Sequence, residues 1–267
     1  MNVVNVSKWN IDKHIIAKLS LINTFIYTLG LSLYDAFYIS FYDKQSKRFY
    51  RDDFFENLKK IVWNCLPIAT LTVSASAFVY SIHAAPEFSK RGLTGYLGGL
   101  VALALVRESV PVMGSLAIIS QYCSGMTAQI ASMKVTEQLD AMKIAKVYPV
   151  SYLLVPMLLA GFIGFPIIVL ISILTGLVVN YFSSSLLIDI NYNLYLSSIF
   201  KSIAVKDIFL SLIKASAFGF TVSLVSYVCG ILTVGGSKAV GSATRLSVVI
   251  NFTLVIVLDY IITALWI

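Results

Sequence analysis

Long apolar segments separated by short polar ones dominate the chain. A helix needs about 20 apolar residues to cross a bilayer. Five segments are long enough: residues 61–83, 93–131, 150–182, 207–232 and 247–267. A lipid environment offers no hydrogen-bond partners, and a helix satisfies all of its backbone N–H and C=O groups within its own segment. The pattern therefore predicts an all-α polytopic membrane protein with about five transmembrane helices.

The second apolar segment is too long for one straight crossing. As a single helix, residues 93–131 would measure roughly 58 Å, whereas the apolar core of a bilayer is about 30 Å thick. Arg107, Glu108 and Pro111 lie inside this segment. We therefore expect a short membrane-embedded segment at 93–106, a break around the charged pair and a span at about 110–131.

The region before the first span is more polar. Residues 14–42 are apolar but are interrupted by Lys18, Asn23 and Asp35, and they contain several tyrosines. Such a segment favours an amphipathic helix in the membrane interface, with its aromatic rings among the headgroups; a sixth span is the alternative. The chain thus divides into an N-terminal cytoplasmic or interfacial region, residues 1–60, and a transmembrane domain, residues 61–267.

Basic residues set the expected orientation. Six of them lie in residues 43–60, directly before the first span: Lys44, Lys47, Arg48, Arg51, Lys59 and Lys60. Because short cytoplasmic segments carry an excess of Lys and Arg, this stretch and the loops at 132–148 and 233–245 are expected inside, and those at 84–92 and 183–206 outside. Lys201 and Lys206, in an outer loop, go against this rule.

The composition excludes soluble classes of protein. The chain is 58% hydrophobic and 12% charged, whereas soluble domains are about 45–50% apolar and about 25% charged. The net charge of +7 fits anionic lipid headgroups better than nucleic acid. With three scattered cysteines and two histidines, we expect no metal site, disulfide framework or bound cofactor.

Four ionisable residues fall inside apolar sequence: Arg107, Glu108, Lys214 and Asp259. A charge in the membrane costs at least about 2.5–3.5 kcal/mol and is normally paired or faces a cavity. Counted along their helices, Lys214 and Asp259 reach similar depths in the outer half of the bilayer, which predicts that they can pair. The spacing leaves open whether the four residues are structural or line a substrate path.

The polar segment between spans two and three, residues 132–148, is amphipathic. Its apolar positions are Val135, Leu139, Met142 and Ile144, and its charged positions facing away are Glu137, Asp140 and Lys143. Thr136 is the expected cap of a short helix, since threonine is a favoured N-cap residue. The residues alone predict an interfacial helix at the inner face.

Several motifs resemble one family. RESVPV and AQIASMKVTEQLDAM, within residues 107–150, resemble the MlaE permease family, the membrane subunit of MCE-associated ABC lipid transporters. LLVPMLLAG, LIKASAFGF, GILTVGGSKAVGSATRLSVV and VLDYIIT resemble later motifs of that family, in the same order. The matches run from about Gly92 to the C-terminus.

The resemblance implies partners, cargo and site residues. It implies a homodimer of permeases bound to two cytoplasmic ABC ATPase subunits, an MCE-domain partner and phospholipid as cargo. It makes residues 132–146 a cytoplasmic coupling helix, whose coupling residues are Met133, Lys134, Val135, Thr136, Glu137, Gln138 and Asp140. It places Arg107, Glu108, Lys214 and Asp259 near the lipid cavity. A bacterial inner membrane is expected, with the inner membrane of the plastid envelope as the alternative.

The chain also departs from the family pattern. Its glycine-arginine segment is replaced by Ser120 to Cys123, its glutamate before the coupling helix by Gln129, and the arginine after Val-Pro by Met157. A diverged, non-transporting paralogue and an ion- or proton-coupled secondary transporter remain alternatives. The chain contains no GxxxxGK[ST] motif, so ATP hydrolysis is expected from a separate subunit, and the permease itself is not expected to be an enzyme.

Overall fold

A computed structural model describes residues 23–36, 47–188 and 190–266, and within them the chain is helical and contains no strand. Five helical runs are long and apolar enough to cross a membrane: Arg51–Lys90, Thr94–Val135, Val150–Leu187, Val205–Ile231 and Ser237–Trp266. The predicted all-α polytopic architecture with five spans is therefore confirmed.

Ten α-helices and three π-helical turns make up the described residues. The helices are α1 (residues 23–36), α2 (Lys47–Lys90), α3 (Thr94–Ala104), α4 (Val110–Ile118), α5 (Ser124–Val135), α6 (Gln138–Ile144), α7 (Val155–Leu187), α8 (Tyr192–Ser202), α9 (Val205–Ile231) and α10 (Ser237–Trp266). The π turns are π1 (Leu105–Ser109), π2 (Ile119–Cys123) and π3 (Val150–Leu154).

The expected outer loop at 84–92 is wrong over most of its length, because α2 continues to Lys90. Two alanines, the best helix formers, enter this stretch, and Glu87 then pairs with Lys90 and Arg91 at helical spacing. Gly92, with φ +65°, is where the chain turns. The same helix also passes through residue 60, where the sequence pattern places the start of the transmembrane domain.

The break expected near Arg107 is wrong, because α3, π1 and α4 form one continuous helical run. The backbone widens there instead of turning away. Pro111 has no N–H to donate to the carbonyl of Arg107 four residues earlier, and the N–H of Val110 reaches back five residues to Leu105 O. A π turn thus absorbs the proline without ending the helix.

Helices α7 and α9 approach each other through glycine. A Cβ atom added to Gly219 would lie 2.1 Å from the carbonyl oxygen of Gly161, so only hydrogen side chains allow this contact. Helix α9 buries residues along its whole length, whereas α10 buries only Ser247, Asn251 and Val255. The bundle is therefore built around α9, and α10 lies at its edge.

The bundle has two ends that matter below. The basic end holds the start of α2, the end of α5 and α6, and the far end holds α3, α8, the start of α9 and the end of α10. Helix α1 lies at the basic end, where Asp35 lines a pocket together with Lys134 and Tyr227. Its helical form fits the N-terminal interfacial helix; the rest of residues 14–42 lies outside the described residues.

Candidate functional site: a charged cluster at the far end

A fully buried lysine is the centre of the far-end cluster. Lys214, on α9, has no exposed side-chain surface. Its Nζ lies 2.8 Å from Glu108 Oε2 and 2.8 Å from Asp259 Oδ1. These contacts join three helical segments, π1, α9 and α10, so the pairing of Lys214 with Asp259 that the depths predicted is present in the structure.

Arg107 has a different partner from its neighbour Glu108. Its Nη2 lies 2.7 Å from Oδ1 of Asp207, and its Nε donates to the same oxygen at 2.8 Å. Asp207 is almost fully buried, and its other oxygen accepts the backbone N–H of Ala204 at 2.9 Å, which caps the start of α9. Asp207 therefore holds both the start of α9 and the guanidinium group.

Arg107 and Glu108 also border a cavity of about 300 Å³. Apolar residues from α3, α9 and α10 form the rest of its wall: Leu100, Leu103, Ala104, Leu210 and Trp266, with Thr263 beside them. The side chains of Arg107 and Glu108 are 40% and 45% exposed. The cavity thus has one arginine and one glutamate, each bound to a buried partner, on a mostly apolar wall, which is the chemistry of a site for an amphipathic molecule.

The residues predicted to couple to an ATPase lie together at the basic end. Met133, Lys134 and Val135 end α5, Thr136 and Glu137 form the connecting turn, and Gln138 and Asp140 belong to α6. Thr136 does not cap α6: its hydroxyl donates to Ser132 O at 2.8 Å, and Glu137, with φ 60°, holds the cap position. The cap prediction is wrong because the helix before it runs on to residue 135.

A salt-bridge clamp fixes α6 against α5. Asp140 accepts from Lys134 at 3.2 Å and from Lys143 at 3.0 Å. Hydrogen bonds from Lys143 and then Lys134 lower the pKa of Asp140 below its ordinary value of 3.8. Leu139 is buried as expected, but Ile144 is 85% exposed. Ile144 leaves the predicted apolar face because α6 ends there and the chain then turns at Lys146.

A family model for the permease MlaE matches residues 54–265. The chain belongs to the MlaE permease family. A probable ABC transporter permease protein of Rickettsia prowazekii is 33% identical over 206 residues, which cover 77% of this chain and 80% of the relative. One of Synechocystis sp. is 31% identical over 80% of this chain and 81% of its own length.

A plant relative also matches. The chloroplastic protein TRIGALACTOSYLDIACYLGLYCEROL 1 of Arabidopsis thaliana is 28% identical over 74% of this chain and 57% of its own length. Together the family and its members show that the chain is a multi-pass transport permease of the ABC class. A permease of this class implies an ATPase partner.

Two departures from the MlaE pattern meet in one cavity. Gln129 on α5 and Met157 on α7 both line a space of about 500 Å³ at the basic end, which Met133 and Gln138 of the coupling residues also border. Lys60 and Glu56, which also line this cavity, form an ion pair in which Nζ lies 2.8 Å from Oε1. Gln129 and Met157 therefore contribute uncharged wall to a cavity that Asp53, Glu56 and Lys60 also line.

The third departure lies in a buried polar network. Cys123, at the end of π2, has its Sγ 3.2 Å from Ser247 Oγ and accepts from Asn251 Nδ2 at 3.1 Å. Thr127 donates to the same serine at 2.9 Å. The end of the segment Ser120 to Cys123 is thus tied to α10 by neutral hydrogen bonds.

Asp207 is the site residue that the sequence pattern did not select. The pattern places it at the first position of the predicted fourth span, directly after Lys206, and so outside the charged residues that fall within apolar sequence. The available signal was its spacing: Asp207 precedes Lys214 by seven residues, two helical turns, and so lies on the same face of α9.

Proposed function

We propose that this chain is the permease subunit of an ATP-driven phospholipid transporter. The observation that carries the proposal is the far-end cavity, where Arg107 and Glu108 meet apolar wall from three helices. A phospholipid joins a charged headgroup to acyl chains, and a planar guanidinium suits phosphate oxygens. The plant relative is named after a diacylglycerol lipid, which agrees with a lipid cargo.

The proposed assembly has two copies of the chain, two ATPase subunits and an MCE-domain protein. Helix α10 leaves most of its apolar surface, including Ile256 and Leu265, outside the core, which suits contact with a second copy. The coupling residues Met133 to Asp140 take the ATPase motion at the basic end. Their clamp supports this role, because a rigid helix transmits a rigid-body shift.

The proposed location is a bacterial inner membrane, with a plastid envelope as the alternative. The basic end would then face the cytoplasm, where the ATPase binds, and the cavity would open toward the MCE partner. Six basic residues lie in residues 43–60, directly before the first span. The charge bias of membrane proteins places such a stretch on the inside.

Co-purification from native membranes tests the proposal. We expect a tagged chain to retain a P-loop ATPase and bound phospholipid. Glu137→Lys, at the coupling turn, should lose the ATPase and keep the lipid. Arg107→Ala combined with Glu108→Ala should lose the lipid and keep the ATPase. Lys238→Ala, an exposed lysine at the start of α10, is the matched surface control.

The opposite pattern would reject the proposal. A chain that purifies without any ATPase would leave no energy source for transport. Lipid retained equally by the cavity variant and the control would show that the charged cavity does not hold it.

A further inference from the structure

The turn π1 leaves two buried carbonyls without their usual backbone partners. Pro111 has no N–H for Arg107 O, and the N–H of Val110 bonds to Leu105 O and not to Val106 O. Both free carbonyls are taken by α9: Lys214 Nζ donates to Arg107 O at 3.0 Å, and Ser211 Oγ donates to Val106 O. Since a buried carbonyl without a partner is costly, these two side chains stabilise the wide turn.

The hydroxyl of Ser211 behaves differently from others on its helix. In helices, serine and threonine usually donate to a carbonyl three or four residues earlier. Thr221, Ser223 and Ser226 follow this habit, with bonds to Ala217 O, Gly219 O and Val222 O. Ser211, which is fully buried, reaches across to π1 instead. Its contact is therefore specific to the turn.

We propose that Ser211 is a positioning residue for the cavity. By holding Val106 O, it keeps π1 in its wide register. In the competing register, an ordinary α turn, the N–H of Val110 returns to Val106 O. Removing one residue from a turn rotates the preceding helix by about 100°, so α3 would carry its cavity residues Leu103 and Ala104 away from Glu108. The role of the cavity in binding lipid rests on the proposed function, whereas the effect of Ser211 on the turn does not.

The test measures which register π1 adopts. Ala104 is exposed at the cavity and lies directly before the turn, whereas the native Cys65, Cys123 and Cys229 are buried. In an Ala104→Cys chain, purified in detergent with its partner subunits, N-ethylmaleimide therefore reports on position 104. We expect Ser211→Ala to slow this labelling about tenfold, because loss of one buried hydrogen bond shifts an equilibrium by about a decade.

Three controls separate positioning from general loosening. Ser226→Ala removes another buried hydroxyl of α9, one that bonds its own helix, and should leave the labelling rate unchanged. Ser211→Thr keeps a hydroxyl and should restore the rate. A cysteine at Leu186, exposed at the far end of α7, should label equally with and without Ser211.

Equal labelling of position 104 in Ser211→Ala and Ser226→Ala would overturn the inference. If Ser211→Ala does not accumulate, Ser211→Cys, a weaker donor of similar size, replaces it. This variant should label at an intermediate rate, and labelling at the wild-type rate would also contradict the inference.

Phospholipid in the same samples is measured separately. If no variant or wild type holds phospholipid, the proposed function fails, whereas the labelling rates still decide the role of Ser211.

Discussion

The turns π1 and π3 have the same backbone design and different surroundings. Each ends two residues before a proline, Pro111 or Pro156, and in each the N–H of the intervening valine reaches back five residues, to Leu105 O or Val150 O. At π1 the freed carbonyls meet Ser211 and Lys214. At π3 the described residues supply no such cation.

The side chains around π3 do not support the turn as Ser211 and Lys214 support π1. The hydroxyl of Ser151 turns back to Tyr148 O at 2.9 Å, and Tyr152 lines the cavity at the basic end, where water can satisfy a carbonyl. The same sequence feature, Val-Pro, thus gives a turn beside a cavity at one end and a charge-supported turn at the other. We infer that π1 is held in place because its position matters to the cavity, whereas π3 only accommodates a proline.

The largest expected effect is at Lys214. Its replacement by alanine leaves Glu108 and Asp259 without their shared cation and Arg107 O without its donor. Breaking a buried ion pair from one side costs about 3–5 kcal/mol. We expect Lys214→Ala to lower the unfolding free energy by this amount in thermal or denaturant unfolding of the purified chain.

Lys206→Ala is the matched control for that variant. Lys206 is on the same helix and is exposed, so its loss should change stability by less than about 0.5 kcal/mol. Equal stability of the two variants would show that Lys214 does not support π1.

A smaller effect is expected at Asp207. Asp207→Ala removes the cap of α9, worth about 1 kcal/mol, and leaves Arg107 free to leave the cavity wall. We expect a loss of about 1–2 kcal/mol in unfolding and faster labelling of a cysteine placed at 104. Asp207→Asn, which keeps an acceptor for Ala204 N–H, should recover part of the stability; no recovery would contradict the capping role.

Substitution of the two prolines compares the turns directly. Each change to alanine restores one backbone N–H. At Pro156 the new N–H can donate to Tyr152 O, to which no side chain of the described residues donates. At Pro111 it would have to donate to Arg107 O, which already accepts a hydrogen bond from Lys214. We expect Pro156→Ala to be more stable than Pro111→Ala by about 1 kcal/mol, the net worth of one hydrogen bond, in parallel thermal unfolding. Equal stabilities would show that α9 does not satisfy π1.

The smallest effect on stability is expected at the basic end. Asp140→Asn removes an exposed clamp, so the unfolding temperature should not change measurably, although ATP-stimulated lipid transfer should fall because α6 loses its fixed angle. The lowered pKa of Asp140 means that its contribution is present above the ordinary pKa and is lost only as the pH falls through the lowered one. Between pH 5 and 8 the clamp should therefore be insensitive to pH; a transition there would contradict it.

Much of the fold could be predicted from the sequence. The number of spans followed from the lengths of the apolar segments, and the meeting of Lys214 with Asp259 followed from counting 1.5 Å per residue along two helices. These quantities depend on one helix at a time, so the sequence pattern contains them.

The remainder depends on contacts between helices. Pro111 reads as a break unless one knows that α9 brings Ser211 and Lys214 to the freed carbonyls. Asp207 reads as an ordinary charge at the start of a span until the opposite helix supplies Arg107. Ile144 fits the apolar face only if α6 continues, and it does not. The errors at Pro111 and Asp207 come from partners that lie elsewhere in the chain, and the error at Ile144 comes from the point at which α6 ends.

The central claim is that the far-end cavity holds phospholipid and responds to the ATPase. Its most direct test is photocrosslinking in the native assembly from benzoylphenylalanine at Leu103, in the cavity, and at Leu174, in an exposed apolar groove between α2 and α7. Any membrane lipid can crosslink at Leu174, with or without ATP. We expect phospholipid crosslinks at Leu103 to change at least threefold when ATP and vanadate trap the ATPase, and those at Leu174 to stay constant. Equal crosslinking at Leu103 with and without trapped ATPase would contradict the account.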